Sequence, residues 1–228
     1  MRRNMPRHRR VCPAGVIFHV VNRAAKRARL FVDPADYASF EQVLGMALRR
    51  FDIALFAYCV MPNHWHFVLS TRQNGDLPRF MHWLTTTHAR RWQQFRGLQG
   101  EGAVYQGRYK AIAVGPDRYL WVCRYVERNA LRANLVERAE EWPWSSLHRR
   151  VAGGDASWLS AWPMRLPDDW VAHVNLPQTE GELAAFRSAL KWGQPFTDDA
   201  HRAGLAALVG VKPRGAPGRG RKQARSVL

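Results

Sequence analysis

Two histidines, His64 and His66, lie one residue apart in the otherwise apolar segment CVMPNHWHFVLS at residues 59–70. In a β-strand alternate side chains share a face, so both imidazoles would project to one side and Trp65 to the other. A pair of neutral imidazoles could hold a divalent cation, provided that a third ligand comes from elsewhere in the chain. The alternative is a pair of partly buried histidines that hydrogen-bond to the backbone.

A second group of reactive side chains lies in residues 117–136. An apolar stripe at three- and four-residue spacing predicts a helix that packs on a sheet, with Tyr125 at the margin of the stripe. Asn129 follows one turn later on the same flank. If its carboxamide oxygen joined the two histidines around a cation, the ion could polarise a phosphate. Tyr125 could then attack the phosphorus, form a phosphotyrosine bond and release a 3′-hydroxyl.

Other residues of these segments are weaker candidates for the reaction. Tyr119 falls on the apolar stripe and is expected to be buried. Glu127 lies two positions from Tyr125 and should face elsewhere, so no general base is evident from the pattern. His82 and His88 lie six residues apart in a predicted helix and are interpreted as structural or surface residues.

The elements that must position these residues alternate between strand-like and helix-like patterns. Strands are predicted at 15–23, 52–62, 64–71 and 104–115, and helices at 34–50, 76–95 and 117–134. This βαββαβ order predicts an α+β, ferredoxin-like or RRM-like domain, which has a four-stranded antiparallel sheet with helices on one face. The other face would be open to a ligand, as in RNA-recognition modules.

Composition divides the chain into four predicted regions. They are a basic arm at 1–13, the βαββαβ domain at 14–150, a loop-rich and helical extension at 151–210, and a basic tail at 211–228. The tail contains Gly, Pro and basic residues but no acid, which is typical of a disordered, phosphate-binding segment.

The charge balance favours a polyanionic partner such as DNA. Lys and Arg total 35 against 18 Asp and Glu, a formal net charge of +17. No apolar stretch approaches the roughly 20 residues of a membrane-spanning helix, and the N-terminus lacks the apolar core of a signal peptide. Three cysteines without a CxxC pattern indicate free thiols in a reducing cytoplasm. We therefore expect a cytoplasmic, nucleoid-associated protein without a membrane partner.

Four motifs together resemble the IS200/IS605-type single-tyrosine transposases, and more closely their REP-associated branch. The motifs are MPNHWHFVL (61–69), YQGRYKAIAV (105–114), RYVERNALRANLV (124–136) and EWPWSSLHRR (141–150). In that family a hydrophobic residue separates the two histidines of the HUH motif, as Trp65 does here. The resemblance implies a metal-dependent single-stranded DNA endonuclease and strand transferase. Its substrate would be hairpin, REP-like palindromic DNA, cleaved through a 5′-phosphotyrosine intermediate.

Carried over by position, the resemblance implies that Tyr125 is the nucleophile and that His64, His66 and Asn129 are metal ligands. Imidazoles alone would suit Zn²⁺, but the resemblance implies Mg²⁺ or Mn²⁺. The residues expected to contact the DNA are Arg108, Lys110, Arg124, Arg128 and Arg132. The chain departs from the family at Ala130, where proline is common, and at Asn134, where glycine is frequent.

Two other functions fit parts of the pattern. A non-catalytic nucleic-acid-binding module could use the same sheet, although the chain lacks the aromatic signature of an RNA-recognition strand and the histidine pair would then be unexplained. A phosphoesterase of small cyclic phosphates would need two separate His-x-Thr/Ser motifs, and the chain has one tight pair. A monomer is expected in preference to a homodimer.

Overall fold

A computed structural model describes residues 11–153 and 156–212 of the chain. Four strands form one sheet: β1 (Ile17–Arg23), β2 (Ile53–Met61), β3 (His64–Thr71) and β4 (Lys110–Val114). The helices are α1 (Pro34–Arg50), α2 (Asp76–Phe95), α3 (Tyr119–Glu127), α4 (Asn129–Arg132), α5 (Ser146–Val151), α6 (Trp170–Asn175), α7 (Glu180–Trp192) and α8 (Asp199–Leu208). Residues 1–10 of the predicted basic arm and residues 213–228 of the predicted tail lie outside the described residues.

The sheet confirms the predicted α+β class. Its strand order is β2-β3-β1-β4, and each neighbouring pair is antiparallel. The β2–β3 hairpin is closed by Pro62 and Asn63, which carry the turn signal in the sequence. This tight turn places the first residue of β3, His64, at one end of the sheet, directly opposite Arg23 of β1.

Helices α1 and α2 cover one face of the sheet, as the βαββαβ order predicts. Helix α1 begins with a capping box, in which the Asp33 side chain accepts from the backbone of Asp36 and the Asp36 carboxylate accepts from the backbone of Asp33. The inward-facing residues of the strands, such as Trp65 and Phe67, are wholly buried in the core that these helices close.

The opposite face is covered as well, so the expectation of a face open to ligands is wrong. Helix α3 packs across it, and residues of α6 and α7 complete a second hydrophobic core that includes Cys59, Val68, Val122 and Phe186. The apolar stripe of α3 needs this burial. The region after residue 150 adds Trp170, Val174, Leu183, Phe186 and Phe196 to the covering layer that α3 begins.

Strand β4 is shorter than the predicted strand at 104–115. Gly107 has a φ of 151°, a conformation that favours glycine and interrupts a regular strand. Residues before it form a loop held to the end of β1, where Ala24 and Tyr105 form an isolated antiparallel bridge. Arg108 therefore lies on a loop rather than on a strand.

The predicted helix at 117–134 is also divided. Helices α3 and α4 meet at Arg128, and Asn129 is the first residue of α4. The segment ends at Asn134, whose φ of 53° is left-handed. Glycine and asparagine both tolerate this conformation, so an asparagine is suited to this position.

The described residues contain no helix that is both long enough and apolar enough to cross a membrane. The three cysteines, Cys12, Cys59 and Cys123, are buried and form no disulfide, as predicted. The region at 151–210 contains α6, α7 and α8, and side chains of α6 and α7 share a core with α3. It is therefore part of the covering layer and not a separate appendage.

Candidate active site

A cavity of about 910 Å³ lies between one end of the sheet, helices α3 and α4, and helix α7. Four residues singled out in the sequence line it together: His64, His66, Tyr125 and Asn129. They come from β3 and from the adjacent helices α3 and α4, and Tyr125 follows His66 by 59 positions in the chain. The structure thus brings together the two imidazoles, the phenol and the carboxamide that the proposed chemistry requires.

The alternation of β3 sets the direction of the histidines. Their ring centroids lie 4.9 Å apart on the α3 side of the sheet. Trp65 points to the other side and is wholly buried. Its indole N–H donates to the Tyr105 hydroxyl over 3.3 Å, and that hydroxyl is 2.8 Å from Nδ1 of His88. His88 is thus structural, as predicted. The buried hydrogen bonds from Trp65 through Tyr105 to His88 anchor the strand segment that carries the histidine pair.

Each ring presents one nitrogen to a protein partner. Nδ1 of His64 lies 2.6 Å from Oδ1 of Asn63, while the Asn63 amide nitrogen faces the carbonyl of Arg27. Because an amide oxygen only accepts, His64 carries its proton on Nδ1 and keeps the lone pair on Nε2. Nδ1 of His66 lies 2.9 Å from Nε2 of a third histidine, His19 on β1.

Burial keeps both rings uncharged. It lowers the pKa of His64 to about 4, with further lowering by Arg23 and Arg132. Burial also lowers the pKa of His66 well below its ordinary value, and the neighbouring His64 adds to this shift. Neutral imidazoles have a lone pair that can bind a cation, so both rings are in the state that metal binding requires at neutral pH.

Tyr125 is fixed by aromatic and cationic neighbours. Its ring meets that of His66 edge-on at 5.8 Å and stacks on Trp121 at 5.7 Å. Phe186 of α7 packs at 4.5 Å, and the Arg132 guanidinium lies over the ring at 4.2 Å from the centroid. The phenol is thus held at the cavity wall with 5% of the residue exposed. Tyr119, by contrast, is wholly buried and does not line the cavity.

Asn129 and Arg132 form a polar pair beside the phenol. Oδ1 of Asn129 accepts a hydrogen bond from Nη2 of Arg132 over 2.8 Å. Nδ2 of Asn129 and Nη1 of Arg132 are buried and find no hydrogen-bond partner among the described residues. Buried groups without partners are rare in folded proteins, so this pair is suited to a polar ligand that enters the cavity.

The cavity is strongly cationic. Its lining includes five basic side chains: Arg23, Arg108, Lys110, Arg132 and Arg187. No Asp or Glu of the described residues lines it. A polyanion is therefore the ligand that its charge favours.

The residues fit a divalent cation when a phosphate is also present. Two neutral imidazoles and the second lone pair of the Asn129 oxygen supply three uncharged ligand atoms. Because five cations surround them, a free dication would be repelled, and an anionic phosphate ligand would remove the repulsion. Mn²⁺ accepts such a mixed nitrogen and oxygen set more readily than Mg²⁺.

A different group has metal-ligating side chains but is explained by local structure. Within residues 11–153 and 156–212, Asp117, Asp198 and His201 are the one set of three or more His, Cys, Asp or Glu residues close enough to share an ion. Asp198 caps α8 by accepting from the backbone of His201, and its own backbone N–H donates to Asp117. None of the three lines the cavity.

Comparison with known proteins assigns the chain to a family. A family model described as "Transposase IS200 like" matches residues 13–129, which is more than half of the chain. The chain belongs to the IS200-like transposases. The family assignment made from the sequence motifs is confirmed, and membership places the chain among enzymes that move DNA.

Two solved structures resemble this IS200-like transposase. One is a REP-associated tyrosine transposase bound to a REP hairpin, with a TM-score of 0.53 and 20% identity over 71% of this chain and 95% of that one. This structural similarity supports the α+β fold described above. The other is a candidate transposase from Deinococcus radiodurans R1, with a TM-score of 0.40 and 20% identity over 56% and 97% of the two chains. That score is too low to inform the fold. No curated protein matches the chain.

Two predicted DNA contacts of the transposase lie away from the cavity. Arg124 donates to the carbonyls of Leu176 and Pro177, and Arg128 donates to those of Val174 and Asn175. These bonds tie α3 to the end of α6. The structure therefore gives both arginines a bracing position, whereas Arg108, Lys110 and Arg132 line the cavity.

Four site residues escape the sequence analysis. Asn63 carries only a turn signal, although its side chain orients His64. His19 is hidden in an apolar strand, and its proximity to His66 depends on the β1–β3 pairing. Arg23 and Arg187 reach the cavity from β1 and α7. Arg187 lies beyond the part of the chain that the transposase family matches, so neither motif nor spacing could have indicated it.

Proposed function

We propose that this transposase is a metal-dependent single-stranded DNA endonuclease and strand transferase that acts on hairpin DNA. One observation carries the proposal: Tyr125, His64, His66 and Asn129 line a single cavity that five cationic side chains also line. A phosphodiester could therefore meet a hydroxyl nucleophile, ligands for a cation and charge-neutralising groups in one place.

The proposed reaction is an exchange of phosphate esters. The Tyr125 oxygen attacks phosphorus and forms a bond to the 5′-phosphate of the downstream strand. The bond from phosphorus to the 3′-oxygen of the upstream strand breaks, and that oxygen leaves as a 3′-hydroxyl after taking up a proton. The phenol proton is released. The covalent ester keeps the phosphodiester linkage energy, so rejoining to another 3′-hydroxyl needs no nucleotide cofactor.

His64, His66 and Asn129 would hold the cation, Mg²⁺ or Mn²⁺, against the reacting phosphate. When bound, the ion supplies Lewis-acid stabilisation of the charge that develops on the phosphate oxygens. Arg132 fixes the Tyr125 ring from above and has one buried N–H group left for a phosphate oxygen. Arg108 and Lys110, at the exposed rim, would neutralise neighbouring phosphates.

Hairpin DNA is proposed as the substrate because the REP-associated transposase of similar fold is bound to one. Chromosomal repeats that form such hairpins would bring the protein to the nucleoid. All four reacting residues belong to one chain, so a monomer suffices for cleavage.

The deciding experiment is capture of the covalent intermediate. A hairpin oligonucleotide with a single-stranded flank, labelled at its 3′ end, is incubated with the protein and Mn²⁺ and then analysed on a denaturing gel. The 3′ label should migrate with the protein, while a 5′ label should appear in a shorter free strand that ends in a 3′-hydroxyl. Chelation of the metal should abolish both products. Tight binding of the oligonucleotide without an adduct would instead favour a non-catalytic nucleic-acid-binding module.

Phosphate contacts at the cavity should be visible in the salt dependence of DNA binding. Each contact with a single strand contributes about 0.7 to the slope of log affinity against log salt. We therefore expect Arg108→Ala and Arg187→Ala each to lower the slope by about 0.7. Among the described residues, Arg187 makes one ion pair, which is exposed and joins it to Glu180, so its removal should not affect folding.

The matched control for the salt experiment is Arg90→Ala. Arg90 is exposed on α2, which covers the other face of the sheet, and should leave the slope unchanged. Fluorescence anisotropy of a labelled hairpin at several KCl concentrations measures the slopes of the wild type and the three variants. Equal slopes for all variants would contradict the assignment of the cavity as the DNA site.

A further inference from the structure

His19 is a buried histidine that stands directly behind the proposed metal ligand His66. It lies on β1, is wholly buried, and its ring stacks on that of His66 with centroids 5.1 Å apart. Its Nε2 atom is 2.9 Å from Nδ1 of His66. The remaining nitrogen, Nδ1, is buried and has no hydrogen-bond partner in the described part of the chain. Its ring is otherwise packed edge-on against Phe186 and Tyr125.

The direction of this hydrogen bond decides whether His66 can bind a cation. Only one of the two facing nitrogens can carry the hydrogen that joins the neutral rings. If His66 carries it on Nδ1, its Nε2 offers a lone pair to the cavity. If His19 carries it on Nε2, His66 must carry its own hydrogen on Nε2 and has no lone pair for a metal.

For His64, the other proposed metal ligand, the position of the ring hydrogen is fixed. Nδ1 of His64 faces the oxygen of Asn63, which can only accept, so Nε2 of His64 is always free. His66 faces a partner that can either donate or accept. The His19–His66 pair therefore has two arrangements with the same number of ring protons. Only one of them leaves a lone pair on Nε2 of His66 that can bind a metal ion.

We propose that His19 is a positioning residue that accepts a hydrogen bond from Nδ1 of His66 and thereby presents Nε2 of His66 to the cation. In that arrangement His19 carries its own hydrogen on Nδ1, the nitrogen that has no partner. A bound cation selects this arrangement, because the alternative leaves hydrogen on the ligating nitrogen. The inference deepens the proposed function, since it depends on the metal site formed by His64 and His66.

The test compares two replacements of His19. In His19→Gln the amide oxygen can accept from Nδ1 of His66 at about the place of the lost Nε2 atom. In His19→Leu a side chain of similar bulk offers no acceptor. Partners of metal-ligating histidines typically contribute about 10- to 100-fold to metal affinity. We expect His19→Leu to weaken Mn²⁺ binding by about that factor and His19→Gln to retain most of the affinity.

Mn²⁺ affinity is read from the electron paramagnetic resonance signal of the free ion. The titration uses the full chain in a Tyr125→Phe background with a hairpin oligonucleotide bound, so that the strand stays intact. Thermal melting in metal-free buffer checks that each variant is folded. Wild-type affinity in a folded His19→Leu variant would overturn the role of His19.

Two further measurements separate this inference from the proposed function. His64→Ala should abolish the tight Mn²⁺ site. If it does not, the metal site itself is wrong and the role of His19 falls with it. In ¹⁵N-histidine-labelled protein with His19 intact, saturated with Mg²⁺ and DNA, the ring shifts should show a protonated Nδ1 on His66. A bare Nδ1 on His66 would overturn the His19 role even if the leucine variant failed to fold.

Discussion

Replacing Tyr125 with phenylalanine is expected to abolish the covalent protein–DNA adduct. Cleavage should fall by about 10⁴-fold or more, since loss of a nucleophile removes the route itself. The change deletes one oxygen and keeps the ring, so packing against Phe186 and Arg132 should persist. Hairpin binding should remain close to that of the wild type, because the substitution removes no basic side chain from the cavity.

Tyr119→Phe is the matched control for this experiment. Tyr119 lies on the same helix, but its ring is wholly buried against Phe56 and Trp162 and does not reach the cavity. Adduct formation should therefore survive in the control. The same gel assay with a 3′-labelled hairpin compares the variants. A Tyr125→Phe protein that still carried the label would assign the nucleophile to another hydroxyl.

Replacing Glu127 with alanine is expected to cost about 3–5 kcal/mol of folding free energy. The carboxylate is wholly buried and accepts from the Ser146 hydroxyl over 2.6 Å and from the Trp170 indole N–H over 2.7 Å. Arg150 lies 3.5 Å away and is largely buried. Alanine would leave these donors without their shared acceptor, and the arginine without its counter-charge.

Glu127→Gln keeps the shape and one acceptor, so we expect it to cost less than alanine, about 1–2 kcal/mol. Glu101→Ala, at an exposed position, should change stability by less than about 0.5 kcal/mol. Urea unfolding followed by tryptophan fluorescence measures all three. If Glu127→Ala unfolded at the wild-type midpoint, the buried network would contribute nothing to folding. The sequence expectation that Glu127 faces away from the reaction agrees with its place in this network.

The predicted cluster follows from rules that hold within single elements. Strand alternation puts His64 and His66 on one side, and helical spacing puts Tyr125 and Asn129 on one flank. These periodicities depend only on local backbone geometry, so they can be predicted without knowing the tertiary fold. Conversely, β4 begins only after Gly107, later than the pattern predicts, because backbone conformation at a glycine is poorly specified by neighbouring side chains.

The residues that sequence analysis missed or misplaced depend on distant segments. Arg124 and Arg128 looked like phosphate contacts, but carbonyls about 50 residues later accept their hydrogen bonds. His19 meets His66 only through the β1–β3 pairing, 47 positions apart. Arg187 reaches the cavity because α7 folds back onto α3. Such contacts depend on tertiary packing, which no periodicity in one chain reveals.

The packing of Phe186 against Tyr125 has an evolutionary consequence. The proposed nucleophile packs against a helix that begins about 50 residues beyond the region matched by the family. Under the proposed mechanism, substitutions in α7 would alter catalysis and come under selection, although α7 lies outside the matched region. Transplanting the matched region alone into another protein would remove Phe186, against which the proposed nucleophile packs. Exchanging α7 between homologues would then change the cleavage rate while every reacting group is kept.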